Sequence, residues 1–223
     1  MNIQLTNIGK RYNYEWIFKG IHFEFTSENS YAILGSNGSG KSTLLQILAG
    51  NFLPSEGEIN YRISSNEVDH VSSSGVENKP IDPEEVYKQL SIATPYLDLF
   101  DEFTLTESIE FHSKFKPFMQ GLDTKEIIAL TQLEKAKDKQ LKYFSSGMKQ
   151  RVRLALAILS DTQLLLLDEP TSNLDKNAIA WYQQLVQTYS KNRLIIVASN
   201  QLEYEYAPFC NLLLNVEDYK KRN

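Results

Sequence analysis

The chain is poor in the residues that build disulfide frameworks and metal sites. Its 223 residues include one cysteine and three histidines. The single cysteine, Cys210, has no partner for an internal disulfide and no metal-ligand spacing around it, so we expect it to be a small buried apolar side chain. No apolar run approaches the length that crosses a bilayer, and residues 1–10 lack the charged and apolar segments of a secretory signal. These absences favour a cytosolic protein.

Basic charge is also in short supply. The 23 Lys and Arg residues are outnumbered by 28 Asp and Glu residues, and the formal net charge is −5. Because the basic residues are interspersed among acids, the sequence offers no basic face for a nucleic-acid backbone, and we expect no nucleic-acid partner. Hydrophobic residues make up 42% of the chain and charged residues 23%, which is typical of a globular protein rather than a disordered one. The length suits one domain with a substantial core.

The most informative segment is a glycine-rich stretch directly after an apolar run at 31–34. In order, it contains Gly35, Ser36, Asn37, Gly38, Ser39, Gly40, Lys41, Ser42 and Thr43. A turn of this kind between a buried strand and a helix directs several backbone N–H groups at one point, where the helix dipole favours an anion. Lys41 adds a charge for the β- and γ-phosphates, and the Ser42 hydroxyl can hold Mg²⁺. An ordinary strand-to-helix turn is the alternative, and the flanking strand and helix patterns argue against it.

Two carboxylates end a second apolar run. Residues 164–167 are all leucine, and Asp168 and Glu169 follow them. Such a run predicts a central strand of a parallel sheet, whose carboxyl end is where ligands bind. We assign Mg²⁺ binding, directly or through water, to Asp168 and polarisation of an attacking water to Glu169. The run alone is weak evidence, since many buried strands end in a solvated acid, but it becomes strong evidence beside the glycine-rich loop.

Strand and helix patterns alternate along the chain with one interruption. Residues 63–80 are rich in Ser, Asn and Gly and predict an exposed loop. Between about 96 and 147 helical signals replace strands, with helix starts predicted at the motifs Thr104-x-x-Glu107 and Asp123-x-x-Glu126. The simplest architecture is a nucleotide-binding α/β core with an inserted helical subdomain.

One further segment narrows the class of protein. It reads Phe144-Ser145-Ser146-Gly147-Met148-Lys149-Gln150-Arg151 and opens a predicted helix. This segment resembles the signature motif of ABC-type ATPases, usually written LSGGQ, although alone it would indicate no more than a helix N-cap. The phosphate loop, the signature, the acid-ended strand and the segment 172–175 follow one another in the order found in the nucleotide-binding subunit of an ABC transporter. The resemblance spans most of the chain.

The resemblance implies a fold and a domain organisation. The fold would be an α/β P-loop NTPase core of the ABC type, with an antiparallel β subdomain and an inserted helical subdomain. All of 1–223 would form a single ABC ATPase domain. Its nucleotide-binding core would comprise 1–95 and 155–223, and the helical subdomain, at about 96–154, would carry the signature.

The resemblance also implies ATP and Mg²⁺ as ligands and a second nucleotide-binding subunit as partner. Residues 35–43 match the Walker A loop of the family, and 164–169 match Walker B. In the family two such domains dimerise head to tail, with each ATP held between the Walker A loop of one subunit and the signature of the other. Ser145, Ser146 and Gly147 would then contact the nucleotide across the interface. The partner subunit could be identical or different.

Two more positions correspond to residues with roles in the family. Asp175 lies in the segment that couples the two nucleotide sites of the dimer. Tyr12 lies where the family places an aromatic residue that stacks on adenine. An edge-strand tyrosine without that role is an equal alternative.

Several positions depart from the family pattern. Tyr96 stands where a glutamine normally contacts Mg²⁺ or water, and its hydroxyl is a poorer ligand than an amide oxygen. Asn200 stands where the family has a histidine; it can hydrogen-bond the γ-phosphate but cannot carry a proton. Ser146 and Met148 also differ from the usual signature. With Lys41, Asp168 and Glu169 intact, we expect normal ATP binding and slow hydrolysis.

The family function is to drive a membrane permease, which here would be a separate chain. The subunit would then be cytoplasmic and peripheral on the inner face of the membrane. A docking surface is predicted at Leu97, Leu99, Phe100 and Phe103, where apolar residues alternate with acids; packing inside the helical insert is the equal alternative. Two other functions stay open: a non-transport ABC switch, and an ATP-binding regulatory subunit with very low turnover.

Overall fold

The computed structural model describes residues 1–64 and 78–220, which form two sheets and a set of helices. The antiparallel sheet consists of β1 (Asn2–Tyr12), β2 (Glu15–Thr26), β4 (Glu56–Ser64) and β5 (Asn78–Ile81). The parallel sheet consists of β3 (Ser30–Leu34), β6 (Leu90–Ala93), β7 (Leu164–Asp168), β8 (Leu194–Ser199) and β9 (Leu212–Asn215). The α-helices are α1 (Lys41–Leu48), α2 (Leu105–Ser113), α3 (Thr124–Thr131), α4 (Ser146–Leu159) and α5 (Lys176–Tyr189).

The antiparallel sheet has the strand order β2-β1-β4-β5. Its β1–β2 hairpin buries alternate apolar side chains, as the period-2 pattern predicts. The predicted exposed loop at 63–80 is wrong at both ends, because β4 continues to Ser64 and β5 begins at Asn78. The rest of that prediction, 65–77, lies outside the described residues.

The parallel sheet has the strand order β6-β7-β8-β3-β9, and every neighbouring pair is parallel. Its register aligns Asp168 with Ala198, and Leu34 with both Ser199 and Asn215. The segments after all five strands therefore leave the sheet at the same edge. This edge is where open α/β sheets bind ligands.

Both faces of the parallel sheet are covered. Tyr31 and Ile33 of β3 belong to one apolar cluster, which includes α1 and the antiparallel sheet. Ala32, between them, belongs to a second cluster, which includes α2, α3, α4 and α5. A strand buried on both faces has to be apolar at every position, which is why the leucine run at 164–167 predicted β7.

The helical insert begins its helices where the sequence predicts. The Thr104 hydroxyl accepts from the Glu107 N–H at 3.2 Å, and the Glu107 carboxylate accepts from the Thr104 N–H at 2.8 Å. Asp123 and Glu126 form the same reciprocal pair at the start of α3. The fold is thus a mixed α/β structure with an antiparallel sheet and a helical insert. Helix α4 runs unbroken through 154/155, and the proposed division of the chain at that point stays a prediction.

The structure bears on two expectations from the sequence, one about membrane-crossing segments and one about the burial of Cys210. Within residues 1–64 and 78–220, no helix is long and apolar enough to cross a membrane. Cys210 is half-buried rather than fully buried, so that prediction is wrong in part. Its thiol donates to the Tyr31 carbonyl at 3.2 Å, and burial raises the pKa of Cys210 to about 12.

Candidate nucleotide-binding site

The glycine-rich loop connects β3 to α1 and is shaped by close packing. Gly40 has φ of 107°, and a Cβ there would lie 2.5 Å from the Ile17 Cγ2 atom, so only glycine fits. Gly40 also caps α1 without any side-chain hydrogen bond, and the first turn of α1 carries no acidic residue. The first N–H groups of the helix are therefore available to an anion.

The loop lines an open pocket of about 380 Å³. Its lining residues are Ile17, Asn37, Gly38, Gly40, Lys41, Ser42, Thr43, Tyr96 and Glu169. Three residues of the predicted cradle lie elsewhere. Gly35 directly follows the last residue of β3, and Ser36 bonds to Glu217. Ser39 is fully buried, and its hydroxyl has no partner among the described residues.

Lys41 is held at the base of this pocket. Its side chain is only 4% exposed, and its ammonium donates to the Ser36 carbonyl at 3.2 Å. The same nitrogen lies 3.8 Å from the nearer carboxylate oxygen of Glu169. A positive charge is thus fixed between the loop backbone and the end of β7.

Asp168 is a buried carboxylate without a hydrogen-bond partner. It is 1% exposed, and neither carboxylate oxygen accepts a bond from any residue that the structure describes. Burial raises the pKa of Asp168 to about 6, although the neighbouring Ser42 hydroxyl lowers it in part. Buried polar atoms normally have partners, so two free oxygens beside Ser42 indicate a missing ligand.

The oxygen atoms at this point fit a magnesium ion. Carboxylate and hydroxyl oxygens are ligands that Mg²⁺ accepts, and it usually completes its shell with water and substrate phosphates. In the described part of the chain, no group of three or more His, Cys, Asp or Glu side chains could hold a metal alone. Asp168 and Ser42 therefore suit an ion that is shared with a bound phosphate rather than caged by protein.

Glu169 adopts an unusual backbone conformation at the pocket. Its φ of 43° lies in the left-handed region, which is uncommon for a residue other than glycine. Its N–H donates to the Ala198 carbonyl at 2.9 Å, which holds it to the end of β8. Backbone strain of this kind concentrates at functional sites, and here it places a partly exposed carboxylate on the pocket wall.

Only one of three further candidate residues lines this pocket. Two of them, Tyr96 and Asn200, depart from the family pattern, and the third, Tyr12, has no firm role. Tyr96 is 80% exposed and lines the pocket, on the segment that follows β6. Asn200 follows β8 at the same sheet edge but is not among the lining residues. Tyr12 is exposed at the end of β1, in contact with the Lys10 ammonium, and it does not line the pocket either.

The signature residues form a second pocket of about 460 Å³. It brings together Ser145, Ser146, Gly147 and Asp175, and it shares no lining residue with the pocket of the glycine-rich loop. The Ser145 hydroxyl accepts from the Met148 N–H at 3.2 Å, and the Asp175 carboxylate caps α5. Within one chain the signature therefore lies apart from the glycine-rich loop.

Close packing around Gly147 explains why the signature contains glycine at this position. A Cβ there would lie 2.8 Å from the Asn173 carbonyl oxygen. The start of α4 thus packs directly against the backbone of the segment that leads to Asp175. Sequence reasoning assigned Gly147 only to the nucleotide, and this contact adds a structural reason.

Three residues near the site were missed from the sequence. Ile17 contributes the apolar wall of the pocket, Glu217 binds the glycine-rich loop, and Glu205 binds both Thr171 and Ser199. Glu217 is 181 residues from its partner Ser36, and Glu205 is 34 residues from Thr171. No local pattern in the sequence could have indicated these pairs.

Comparison with known proteins agrees with the geometry. A family model described as ABC transporter matches residues 18–172. The chain is 31% identical over 209 residues to ATP-binding cassette sub-family A member 10 of Homo sapiens, a match that covers 90% of this chain and 13% of that protein. It is 31% identical over 217 residues to the energy-coupling factor transporter ATP-binding protein EcfA1 of Thermotoga maritima, covering 92% of this chain and 74% of that one.

The fold has solved counterparts. The dimeric ATP-binding cassette MJ0796, in a post-hydrolysis state bound to ADP and Pi, superimposes with a TM-score of 0.75 at 21% identity, covering 99% of this chain and 97% of that one. This likeness supports the fold of an ATP-binding cassette. With the family model matched over residues 18–172, the chain belongs to the ABC transporter family, as a nucleotide-binding ATPase domain.

Proposed function

We propose that this chain binds Mg²⁺-ATP at the glycine-rich loop, hydrolyses it in a head-to-tail dimer, and so drives a separate membrane permease. The observation that carries the proposal is the unpartnered Asp168 carboxylate beside Ser42 and Lys41. These groups supply what a triphosphate needs: a fixed cation, free helix N–H groups and an oxygen site for the metal. Magnesium would neutralise charge on the β- and γ-phosphate oxygens.

The site residues of this chain have separate roles in the proposed hydrolysis. Lys41 would bind the terminal phosphates, and Asp168 with Ser42 would hold the metal ion. Glu169 lies on the pocket wall, where it orients a water and accepts its proton as the water oxygen attacks the γ-phosphorus. The bond from the γ-phosphorus to the bridging oxygen breaks, and ADP leaves with that oxygen. Asn200, which follows β8 at the same sheet edge, would donate a hydrogen bond to the γ-phosphate.

The separation of the two pockets supports the proposed dimer. Ser145, Ser146 and Gly147 line a pocket apart from the glycine-rich loop, so in a single chain they do not reach its nucleotide. In a head-to-tail pair, the signature of the second subunit would complete the site. Asp175, which lies in the signature pocket, would transmit contact between the two sites.

Coupling to a permease is supported by a surface on the helical insert. Phe100 is 60% exposed and packs against Phe103 and Phe111, with ring centroids 5.2 and 5.3 Å away. Leu97 is also exposed, whereas Leu99 packs against the second apolar cluster. The predicted surface is therefore partly exposed and partly packed into the core. Relatives named as transporter ATP-binding proteins favour transport, which would hold this chain at the inner face of the membrane.

A very low turnover is the second candidate. Tyr96 brings a phenol to the pocket where the family pattern has an amide, and Asn200 does not line the pocket. Both differences weaken the positioning of water and γ-phosphate without touching ATP binding. Measured turnover separates an energy-coupling ATPase from an ATP-binding regulatory subunit.

The central experiment measures phosphate release and oligomeric state with Mg²⁺-ATP. Glu169→Gln should reduce turnover by roughly 100-fold or more, because it removes the general base, and should trap a dimer in size-exclusion chromatography with light scattering. Glu110→Gln, at an exposed site on α2, is the matched control and should behave as wild type. Equal turnover for wild type and Glu169→Gln would remove Glu169 from the mechanism. A monomer at saturating ATP would contradict the dimer.

The permease is tested by native purification from detergent-solubilised membranes. A multi-span protein should co-purify with wild type and be lost with Phe100→Asp. Tyr14→Asp changes a residue that is 97% exposed in the turn between β1 and β2, and it should keep the partner. If both variants retain the partner, Phe100 does not contribute to docking.

A further inference from the structure

The segment after β9 contacts the glycine-rich loop at Ser36, which does not line the pocket. Strand β9 pairs in parallel with β3, and Asn215 lies opposite Leu34, so the chain after β9 leaves the sheet beside the loop. A single-turn 3₁₀ helix follows at Val216–Tyr219. Its Glu217 carboxylate accepts from the Ser36 N–H at 3.0 Å and from the Ser36 hydroxyl at 2.5 Å.

Glu217 is held in place by its own neighbours. Val216 is fully buried in the first apolar cluster, and Tyr219 packs against the same cluster. The Glu217 N–H donates to the Asn215 side chain at 3.1 Å. Because anchors lie on both sides of it, the carboxylate is presented to the loop by a fixed backbone rather than by a free tail.

Ser36 transmits this contact to Lys41. The Ser36 carbonyl accepts from the Lys41 ammonium at 3.2 Å and from the Ser39 N–H at 3.0 Å. Ser36 is therefore bonded through its N–H and hydroxyl to Glu217 and through its carbonyl to the residues that shape the cradle. Ser36 does not line the pocket, so none of these bonds competes with a bound phosphate.

We propose that Glu217 is a positioning residue for nucleotide binding, which fixes the first turn of the glycine-rich loop and, through Ser36, the Lys41 ammonium. The proposal rests on the proposed function, in which this loop binds the phosphates of ATP. Hydrogen bonds to an ionised carboxylate are stronger than neutral ones, and a preformed cradle binds its ligand with less loss of conformational freedom. The Ser36 hydrogen bonds hold the pKa of Glu217 below its ordinary value, so the carboxylate is ionised at neutral pH.

The substitution series separates the acceptor oxygen from the charge. Glu217→Ala removes both bonds and should raise the Kd for ATP roughly tenfold. Glu217→Gln keeps a carbonyl oxygen that can accept both bonds, and should bind ATP within about threefold of wild type. Asp218→Ala, at the exposed neighbouring carboxylate, is the control and should leave Kd unchanged. At saturating ATP, kcat should be the same in all four proteins, because Glu217 does not touch the reacting atoms.

The experiment combines equilibrium binding of ATP and ADP, steady-state turnover and hydrogen–deuterium exchange of the ligand-free protein. Peptides covering 35–41 should exchange faster in Glu217→Ala than in Asp218→Ala. Equal Kd and equal exchange in these two variants overturn the proposal. So does a fall in kcat with Kd unchanged.

The exchange measurement also distinguishes this proposal from the one on which it rests. If wild type does not bind ATP while Glu217→Ala still loosens the loop, the proposed function fails and the positioning of the loop stands. If wild type binds ATP and neither Kd nor exchange responds to Glu217→Ala, the reverse holds. A double-mutant cycle with Ser36→Ala gives a further check, since the hydroxyl bond requires the two effects on Kd to be non-additive.

Discussion

Two buried carboxyl groups at the same sheet edge differ in their hydrogen-bond partners. Asp168 and Glu205 are each 1% exposed, and burial raises the pKa of both. Glu205 accepts from the Thr171 N–H at 3.3 Å, from the Thr171 hydroxyl at 2.6 Å, and from the Ser199 hydroxyl. Neither oxygen of Asp168 accepts a bond from the described residues.

Hydrogen-bond partners distinguish a carboxyl group with a structural role from one that can bind a ligand. Glu205 connects the segment after Glu169 to the end of β8, and the Tyr182 hydroxyl donates to its carbonyl at 2.8 Å. The protein therefore satisfies Glu205 internally and leaves Asp168 for something that is not part of the chain. Burial alone does not distinguish the two groups, whereas their hydrogen-bond partners do.

The largest expected effect tests Asp168 as a metal ligand. Asp168→Asn keeps the shape of the side chain and removes the charge, so Mg²⁺-dependent ATP hydrolysis should fall by roughly 100-fold or more. The free energy of unfolding without ligand should stay the same or rise, because an unpaired buried charge is removed. Phosphate release and urea unfolding measure the two effects. A large loss of stability would mean that Asp168 is structural like Glu205.

The second-largest effect is expected at Glu205, where a substitution should reduce stability rather than hydrolysis. Glu205→Ala leaves the Thr171 and Ser199 donors unpaired, and should lower the free energy of unfolding by about 3 kcal/mol. Glu205→Gln retains an acceptor for Thr171, and the Ser199 hydroxyl can turn to accept, so it should cost no more than about 1 kcal/mol. Urea unfolding compares the three proteins. If Glu205→Gln is as damaging as Glu205→Ala, the negative charge rather than the bonding pattern is what matters.

The third test extends the comparison from buried acids to a half-buried base, His112. Burial lowers the pKa of His112 to about 4, and its imidazole lies 2.8 Å from the Ser160 hydroxyl. Since the unfolded chain binds a proton near pH 6.5 and the native one only near pH 4, stability is lost as the pH falls. The loss should reach about 2 kcal/mol by pH 5. In His112→Gln, the free energy of unfolding should lose this dependence between pH 6.5 and 4; an unchanged profile would contradict the assignment.

The smallest effect concerns removal of the metal. If Mg²⁺ tightens ATP binding about tenfold, it should add about 1.4 kcal/mol of stability at saturating nucleotide. Thermal unfolding with ATP, in Mg²⁺ or in EDTA, measures this increment. Asp168→Asn should abolish the increment and Glu205→Gln should keep it. Loss of the increment in both variants would show that Mg²⁺ binding depends on the whole sheet edge.

The strongest predictions from sequence were those with local causes. The capping boxes at Thr104-x-x-Glu107 and Asp123-x-x-Glu126 are confirmed, because each is closed within four residues. The loop at 63–80 was wrong at its ends, because pairing of β4 with β5 decides those residues and composition does not. The roles of the site residues stay predictions, including those of Tyr12, Tyr96 and Asn200.

The amino-acid order was enough to indicate a phosphate cradle, an acid-ended buried strand and the family, since each depends on backbone freedom, burial period or neighbouring residues. The pairing of Glu217 with Ser36, the enclosure of Glu205 and the isolation of Asp168 depend on strands that are distant in sequence lying side by side. A carboxylate in the sequence carries no sign of whether a donor will face it. Its partners are known only once the sheet has assembled and water has been excluded.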